Sequence, residues 1–372
     1  MNRPLTTVTV LKKTVCNLVA GEPFTTLGPI PEDSPSEDQY KCGCDLVIGD
    51  TAIDDTGLGA PCNDSEEVPN TTWMEAGCAW SRENWSCAYD AVFMSFWSIY
   101  RGSSPSWRCE WRQQSPIWGN LLGAAFDLLL TTTQRRQISQ AALSQEFTTF
   151  RDEFRDKLSQ VNPEYFRCHG AVPASVCQVL GRVFGGSIGC EPYLDQLVAC
   201  DQCDIFVYNH CLLTLLRSTQ LLSEYLNEDE VGTPLPLQMV VTCYVQHLSQ
   251  DPHRNRCFTC SGPRRVESLS IPGMPWPWIE LCDPISPITP SYRLVFGLQH
   301  QCRVYTLQAV IYLGGNHFTA RLSDESATWW KYDGMWRFGA PLIDEVEVEA
   351  DLLESDGRRA GFLLYRQADL QD

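Results

Sequence analysis

The 372-residue sequence has no long apolar run. Its longest candidates, such as the stretch from Ala171 to Val183, are short and broken by Pro, Ser, Gln or Arg, so no membrane-spanning helix is expected. Positive charge is scarce: 28 Lys and Arg stand against 46 Asp and Glu, a formal net charge of -18. The basic clusters are only pairs, at Arg135 and Arg136, Arg264 and Arg265, and Arg358 and Arg359. Binding a phosphate backbone needs clustered cations, which argues against nucleic acid as the principal partner. Also missing is an N-terminal apolar stretch leading to a small-residue cleavage site. Lys12 and Lys13 interrupt the opening Thr- and Val-containing run, so no secretory signal is expected. The Asn-x-Ser/Thr matches at Asn63, Asn70 and Asn84 then carry no expectation of glycosylation. No internal repeat or heptad run is visible.

Apolar and aromatic material is plentiful. The chain is 44% hydrophobic, with 12 Trp, 13 Tyr and 15 Phe, enough for a substantial core and against disorder of the whole chain. Its 18 Cys would suit a disulfide framework in a short secreted domain. In a long chain that reads as cytoplasmic or nuclear, metal ligands, one reactive thiol and several buried thiols explain the count better.

Residues 1–70 read as a flexible leader. From Glu22 to Asn70 the chain is rich in Pro, Asp, Glu, Gly and Ser and keeps no period of 2 or 3.6. The character changes near Thr71. After Ser86, the positions Ala88, Ala91, Val92, Ser95, Phe96 and Ile99 follow helical spacing, with Asn84 or Ser86 as a candidate cap and Gly102 as the stop. The stretch from 117 to about 225 reads as mostly helical, including Gln137 to Leu158 with Phe147, Phe150, Phe154 and Leu158 on one face. After Pro234 the pattern turns to short strands: LQMVVTCYVQHL, RVESLSI, RLVFGLQ, CRVYTLQAVIYLG, HFTARLS, TWWKYDG and GFLLYRQ. Helices first and antiparallel strands last imply an α+β fold, not a wound parallel sheet.

Three residues could carry chemistry. Cys87 would sit at a helix N-terminus, where unpaired N–H groups and the helix dipole favour a thiolate; a buried core cysteine is the plainer alternative. His317 heads a strand after a Gly-Gly turn, a rigid place for a general base. Asp333 follows sixteen residues later, at the end of the next strand. A polar turn of that length brings the two side by side, so the carboxylate could orient the imidazole; Asp333 and Gly334 are also an ordinary turn pair. Separately, Cys200 and Cys203, and Cys257 and Cys260, form two Cys-x-x-Cys pairs. Four such thiolates can enclose a structural zinc ion, Zn2+, with no open position for catalysis. Independent buried cysteines are the alternative.

The block NWSCAYDAVFMSF resembles the Cys box of the ubiquitin-specific proteases, the papain-like deubiquitinating cysteine peptidases. GGNHFTARLSDESATWWKYDGM is similar to their His box, and GFLLYRQ, with Tyr365, to their closing strand. The resemblance implies a papain-like catalytic domain over 71–372 with a helical lobe and an antiparallel β lobe. It implies Cys87 as nucleophile, His317 as base, Asp333 as its partner, and zinc-binding fingers at 200–260. The expected activity is hydrolysis of ubiquitin peptide and isopeptide bonds, and the expected partners are ubiquitin or a ubiquitin-like protein and its conjugates. Trp80, Trp85 and Phe318 would be candidates to wall the channel for a Gly-Gly tail. Two departures stand out. The family's oxyanion Asn, five residues before the Cys, is Arg82 here, which leaves Asn84 as the candidate donor. The family's Tyr after the Cys is Ala88, and its Asn-Ser pair is Asp90 and Ala91. These departures keep open a catalytically inactive ubiquitin-binding scaffold and a peptidase for another ubiquitin-like modifier.

Overall fold

A computed structural model describes residues 76–368, apart from 116, 134–137, 168–173, 186–192, 201–205, 212–234, 251–259, 263, 271–277, 282–287, 298–301 and 325. The expected leader 1–70, Cys203 and Cys257 lie outside the described residues.

Helices come first: α1 (Cys87–Arg101), α2 (Pro105–Gln114), α3 (Trp118–Thr133), α4 (Gln140–Val161) and α5 (Val176–Gly185). Their ends follow local chemistry. The Ser104 hydroxyl accepts from the Trp107 N–H ahead of Pro105 at the start of α2, and Ser139 accepts from Ala142 N–H at the start of α4. Each satisfies a donor that the first helical turn leaves unpaired. At the far end of α1, Gly102 N–H returns to Ser98 O at 3.2 Å. Among the described residues no helix is long and apolar enough to cross a membrane.

Strands dominate the second half. A small antiparallel sheet, in the order β2-β1-β4, joins β1 (Tyr193–Cys200), β2 (Phe206–Cys211) and β4 (Arg264–Ser270). The strands β1 and β2 fall inside the stretch expected to be helical. The Leu, Ala and Gln content of β1 favours helix locally, but a hairpin register with the strand-forming Phe206, Val207 and Tyr208 of β2, from Tyr193↔Cys211 to Val198↔Phe206, overrides it. The opposite correction applies to LQMVVTCYVQHL, which forms α6 (Leu237–Gln250) instead of a strand. Its β-branched residues suggest a strand, yet Leu237, Val240 and Val241 are buried and Val245 packs beside them, a 3.6-residue period. Just before α6, β3 (Leu235–Pro236) pairs in parallel with β6 (Ile288–Thr289).

The main sheet is antiparallel. It contains β5 (Trp278–Glu280), β7 (Arg293–Phe296), β8 (Arg303–Gly314), β9 (His317–Ser323), β10 (Trp329–Tyr332), β11 (Leu342–Asp344), β12 (Glu354–Ser355) and β13 (Arg358–Gln367). The order is β11-β10-β9-β8-β13-β12, with β5 also on β13 and β7 also on β8. Apart from α6, helices precede strands along the chain, an α+β architecture. Tyr365 of β13 is fully buried and donates its hydroxyl to Ser291 O at 2.9 Å.

Helix α1 lies between the two layers. Every residue from Ala88 to Tyr100 is buried, as expected of a helix covered on all sides. It packs on β8 and β9 and on α3, α4 and α5. Trp97 sits between Phe126 and Phe147, with ring centroids 5.7 and 5.4 Å away. Each such aromatic contact adds about 0.5–1.5 kcal/mol beyond simple area burial. One hydrophobic core runs through helices and sheet, so the start of α1 is fixed relative to β9.

Candidate active site

Cys87 opens α1 and is partly buried. The first turn of a helix leaves its N–H groups without intrahelical acceptors, so this thiol sits where negative charge is favoured. Ser86 occupies the cap position with helical φ and ψ and makes no side-chain cap bond. Its hydroxyl instead donates to Asp90 Oδ2 at 2.7 Å and accepts from Ser81 N–H at 2.9 Å. Trp85, just before it, has φ of 45°, a left-handed backbone that a Trp adopts only when its surroundings impose it.

His317 begins β9 after a two-residue turn in which Gly315 and Asn316 have φ of 58° and 57°. That left-handed pair matches the twist of the β8–β9 hairpin. Because Tyr332 pairs with Ala320, Asp333 arrives one step further, diagonal to His317 and on the same face of the sheet. His317 Nε2 lies 2.8 Å from Asp333 Oδ1, which also accepts from Met335 N–H at 2.9 Å. Asp333 O accepts from Trp336 N–H at 3.1 Å. Asp333 is therefore both the turn residue and the partner of the imidazole.

The electrostatics follow from these contacts. Burial alone would lower the His317 pKa. The hydrogen bond to Asp333, the nearby Cys87 thiol, and the charges of both partners outweigh it and push the imidazole up to about 9. Burial likewise opposes ionisation of Asp333, but bonds from His317 and the Met335 N–H hold its carboxyl below the usual range. With Asp333 ionised, Nε2–H donates to it, leaving Nδ1 to face Cys87. Asp333 thus bonds the imidazole at 2.8 Å, and the Cys87 thiol lies close enough to perturb it, so the three residues meet where α1, β9 and the end of β10 converge. Cys78, nine positions earlier, is a different kind of thiol: it is fully buried, donates to Phe147 O at 3.5 Å, and burial pushes its pKa up to about 12.

Asn84 is half-buried in the turn before Cys87, while Arg82 is exposed. The Asn84 N–H donates to Ser81 O at 3.2 Å, and its carbonyl accepts from Arg155 Nη1 at 2.6 Å. Trp80 stands edge-on to His317 with centroids 6.4 Å apart, whereas Trp85 is exposed and Phe318 packs against the core. Of the three aromatic residues considered for a channel wall, Trp80 alone is in ring contact with the imidazole among the contacts described.

The segment 76–86, here called the strap, passes between the layers and is bonded to both. From α4, Ser144 Oγ donates to Gly77 O at 3.0 Å, Thr148 Oγ1 accepts from Ala79 N–H at 3.1 Å, and Arg151 Nη2 reaches Ala79 O at 3.4 Å. Arg151 also pairs with Asp90, both fully buried. On the sheet side, Tyr332 Oη donates to Cys78 O at 2.8 Å, and Trp80 N–H donates to Gly334 O at 2.9 Å. The backbones come so close that a Cβ on Gly77 would lie 2.3 Å from Gly339 O, and one on Gly339 2.1 Å from Cys78 O. None of these supports was predicted from the sequence. One signal was available: Arg151 and Arg155 lie on the same face of α4 as Phe147, Phe154 and Leu158, where charge is out of place.

In the small sheet, Cys200 ends β1, and its sulfur lies 3.5 Å from that of Cys260. Gly262 N–H donates to Cys260 Sγ at 3.4 Å. Among the described residues no group of three or more metal-ligating side chains occurs.

No family model matches the chain, and no curated protein matches it. Among solved structures it is similar to the SAGA DUB module Ubp8/Sgf11/Sus1/Sgf73 bound to monoubiquitin, with a TM-score of 0.40 and 10% identity, covering 79% of this chain and 69% of that one. A second structure of that module gives a TM-score of 0.35 and 11% identity, covering 82% and 71%. A yeast SAGA DUBm structure gives 0.33 and 12%, again covering 82% and 71%.

Proposed function

We propose that the chain is a thiol peptidase that hydrolyses the bond joining the C-terminus of ubiquitin to an amine. The observation that carries the peptidase reading is the 2.8 Å bond between His317 and Asp333 with the Cys87 thiol beside the imidazole at the start of α1. A nucleophile, a base and an orienting carboxylate in contact is the arrangement acyl transfer needs. The substrate class rests on the likeness of the blocks around Cys87 and His317 to the ubiquitin-specific proteases.

In this reading the Cys87 thiolate attacks the scissile carbonyl carbon, forming the C–S bond. Protonated His317 gives its proton to the departing amine as the C–N bond breaks. His317 then takes a proton from water, the hydroxide attacks the thioester, and the proton returns as Cys87 leaves. Asp333 keeps the ring in the tautomer that presents Nδ1 to the thiol and stabilises the imidazolium. The tetrahedral oxyanion needs donors, and the Cys87 N–H and the Asn84 side chain are the groups proposed for it.

One observation favours the inactive-scaffold reading: Arg82, where the family carries its oxyanion Asn, is exposed. Intact-mass analysis after incubation with a ubiquitin bearing a C-terminal electrophile separates the two. A single adduct is expected on the native chain and none on Cys87→Ala. No adduct on folded, reduced protein would favour the scaffold, and labelling only by the corresponding probe of another ubiquitin-like protein would change the substrate.

A structural zinc ion is proposed for Cys200, Cys203, Cys257 and Cys260. The support is that the sulfurs of Cys200 and Cys260, one from each pair, lie 3.5 Å apart without a disulfide between them. Tetrahedral thiolates around zinc stand about 3.8 Å apart. The ion would tie β1 to the segment before β4 and take no part in the chemistry. Elemental analysis of the purified chain is expected to give one zinc, lost in Cys203→Ser; its absence from the native chain would refute the site.

A further inference from the structure

Arg155 projects from α4 into the site from a side the reaction itself does not use. It is buried to 1% exposure. Nη1 donates to Asn84 O at 2.6 Å and Nε to Arg167 O at 2.8 Å, while the guanidinium lies 4.7 Å from the centre of the Tyr89 ring. One side chain therefore brackets Cys87, touching the residue three before it and the residue two after it. Its planar fork spans carbonyls from two separate segments, a geometry that a lysine ammonium cannot reproduce.

The place it grips matters. Between Asn84 and Cys87 the backbone turns through the left-handed Trp85, and the Asn84 carbonyl that Arg155 holds stands at the start of this turn. A strained turn persists only where its surroundings over-determine it. Arg151, one helical turn earlier, does a different job: it neutralises the buried carboxylate of Asp90 and so belongs to the stability of the fold. Arg155 reaches the main chain of the turn directly.

We propose that Arg155 is a positioning residue for acyl transfer, holding the Asn84 carbonyl so that the 82–87 turn presents its donors to the oxyanion. The proposal rests on the thiol-peptidase reading above. It predicts a separation between two reactions of the same thiol. Hydrolysis of a ubiquitin C-terminal amide passes through an oxyanion and depends on the turn. Alkylation of Cys87 by iodoacetamide displaces iodide from carbon, forms no oxyanion, and needs only the thiolate.

The test uses the full chain with Arg155→Met, which keeps the stem and removes the fork, and Arg155→Lys. Substrates are ubiquitin carrying a C-terminal fluorogenic amide, and iodoacetamide with the adduct mapped to Cys87. For Arg155→Met, kcat is expected to fall about tenfold to a hundredfold, less than the roughly 10²- to 10³-fold for outright loss of an oxyanion donor. KM and the rate and pH profile of alkylation are expected to stay within about twofold. Arg155→Lys should recover part of kcat, and should Arg155→Met not fold, it carries the same pair of measurements. An unchanged kcat, or a fall matched by an equal fall in alkylation, would overturn the proposal. Failure of the native chain to hydrolyse the amide would instead remove the peptidase reading, and the proposal with it.

Discussion

His317 and Asp333 stand on adjacent strands whose hydrogen-bonded ladder fixes their separation, whereas Cys87 opens a helix whose entry turn is gripped by side chains from another helix. On the sheet side, register does the positioning: Gly314 pairs with His317 and Tyr332 with Ala320, so the imidazole and carboxylate meet whatever the surrounding side chains are. On the helix side there is no ladder. The strap has one backbone bond to the turn after Asp333, and otherwise depends on Ser144, Thr148, Arg151, Arg155 and Tyr332. Backbone registration tolerates substitution. A polar clamp in a dry interior does not, since removing one partner strands the other.

The widest gap between the halves should appear on replacing Asp333 with Asn. The ladder is untouched, so the melting temperature is expected to change little, yet hydrolysis should fall by about 10²- to 10⁴-fold as the imidazole loses its orienting charge. The alkaline limb of the pH–rate profile carries a second readout. Asp333 helps raise the His317 pKa to about 9; without it the imidazolium loses its proton at lower pH, and the limb should move down. A limb that stays in place would mean that another group sets it.

Arg151→Met should do the reverse, acting through stability. It leaves the Asp90 carboxylate buried without its partner, which costs about 3–5 kcal/mol. Denaturant unfolding measures the loss. A midpoint equal to that of the native chain would show that the helix half does not depend on this pair.

The smallest effect is on the native chain itself. The His317 pKa is higher in the folded state than its ordinary 6.5, so the proton it keeps stabilises the fold fully below about 6.5. That contribution should fade as the pH rises from there through about 9. Asp333 acts from the other end, its lowered pKa adding stability above about 3.8 that is lost on acidification. Unfolding free energies measured across pH 6–10 should decline, and the decline should flatten in His317→Gln. An identical slope in that variant would assign the loss to other groups.

The same division explains what was legible in the sequence. Period-2 alternation and the turn residues around 314–316 and 333–334 announced β8, β9 and β10, and with them the placing of His317 beside Asp333. The apolar stripe of α4 was equally plain. The clamps were not, because a bond from Arg155 to a main-chain carbonyl 71 positions away leaves no local pattern. Asp90 looked like a departure from the family's motif; in the fold it is the buried partner of Ser86 and Arg151. Of the misread elements, β1 and α6 are stretches in which local propensity pointed one way and tertiary pairing or packing another, whereas β2 carries strand-forming Phe206, Val207 and Tyr208 inside a run otherwise read as helical. The stretch 344–356 is rich in Asp and Glu, a composition expected of a solvated face. In part it is structural: Asp344 pairs with Arg321, and Glu349 accepts from Tyr292 N–H at 2.6 Å.

The strap also bears on the order in which the protein can be made. The bond from Tyr332 to the Cys78 carbonyl joins residues 254 positions apart, and β13, near the C-terminal end of the chain, lies inside the main sheet and not at its rim. Ribosomes add about 5–20 residues per second. The proposed nucleophile is therefore synthesised roughly 10–50 s before the histidine 230 positions later. Throughout that interval the nascent chain carries the Cys87 thiol without the imidazole, and any chemistry that needs the pair waits until the closing strands have been translated and have locked the strap in place.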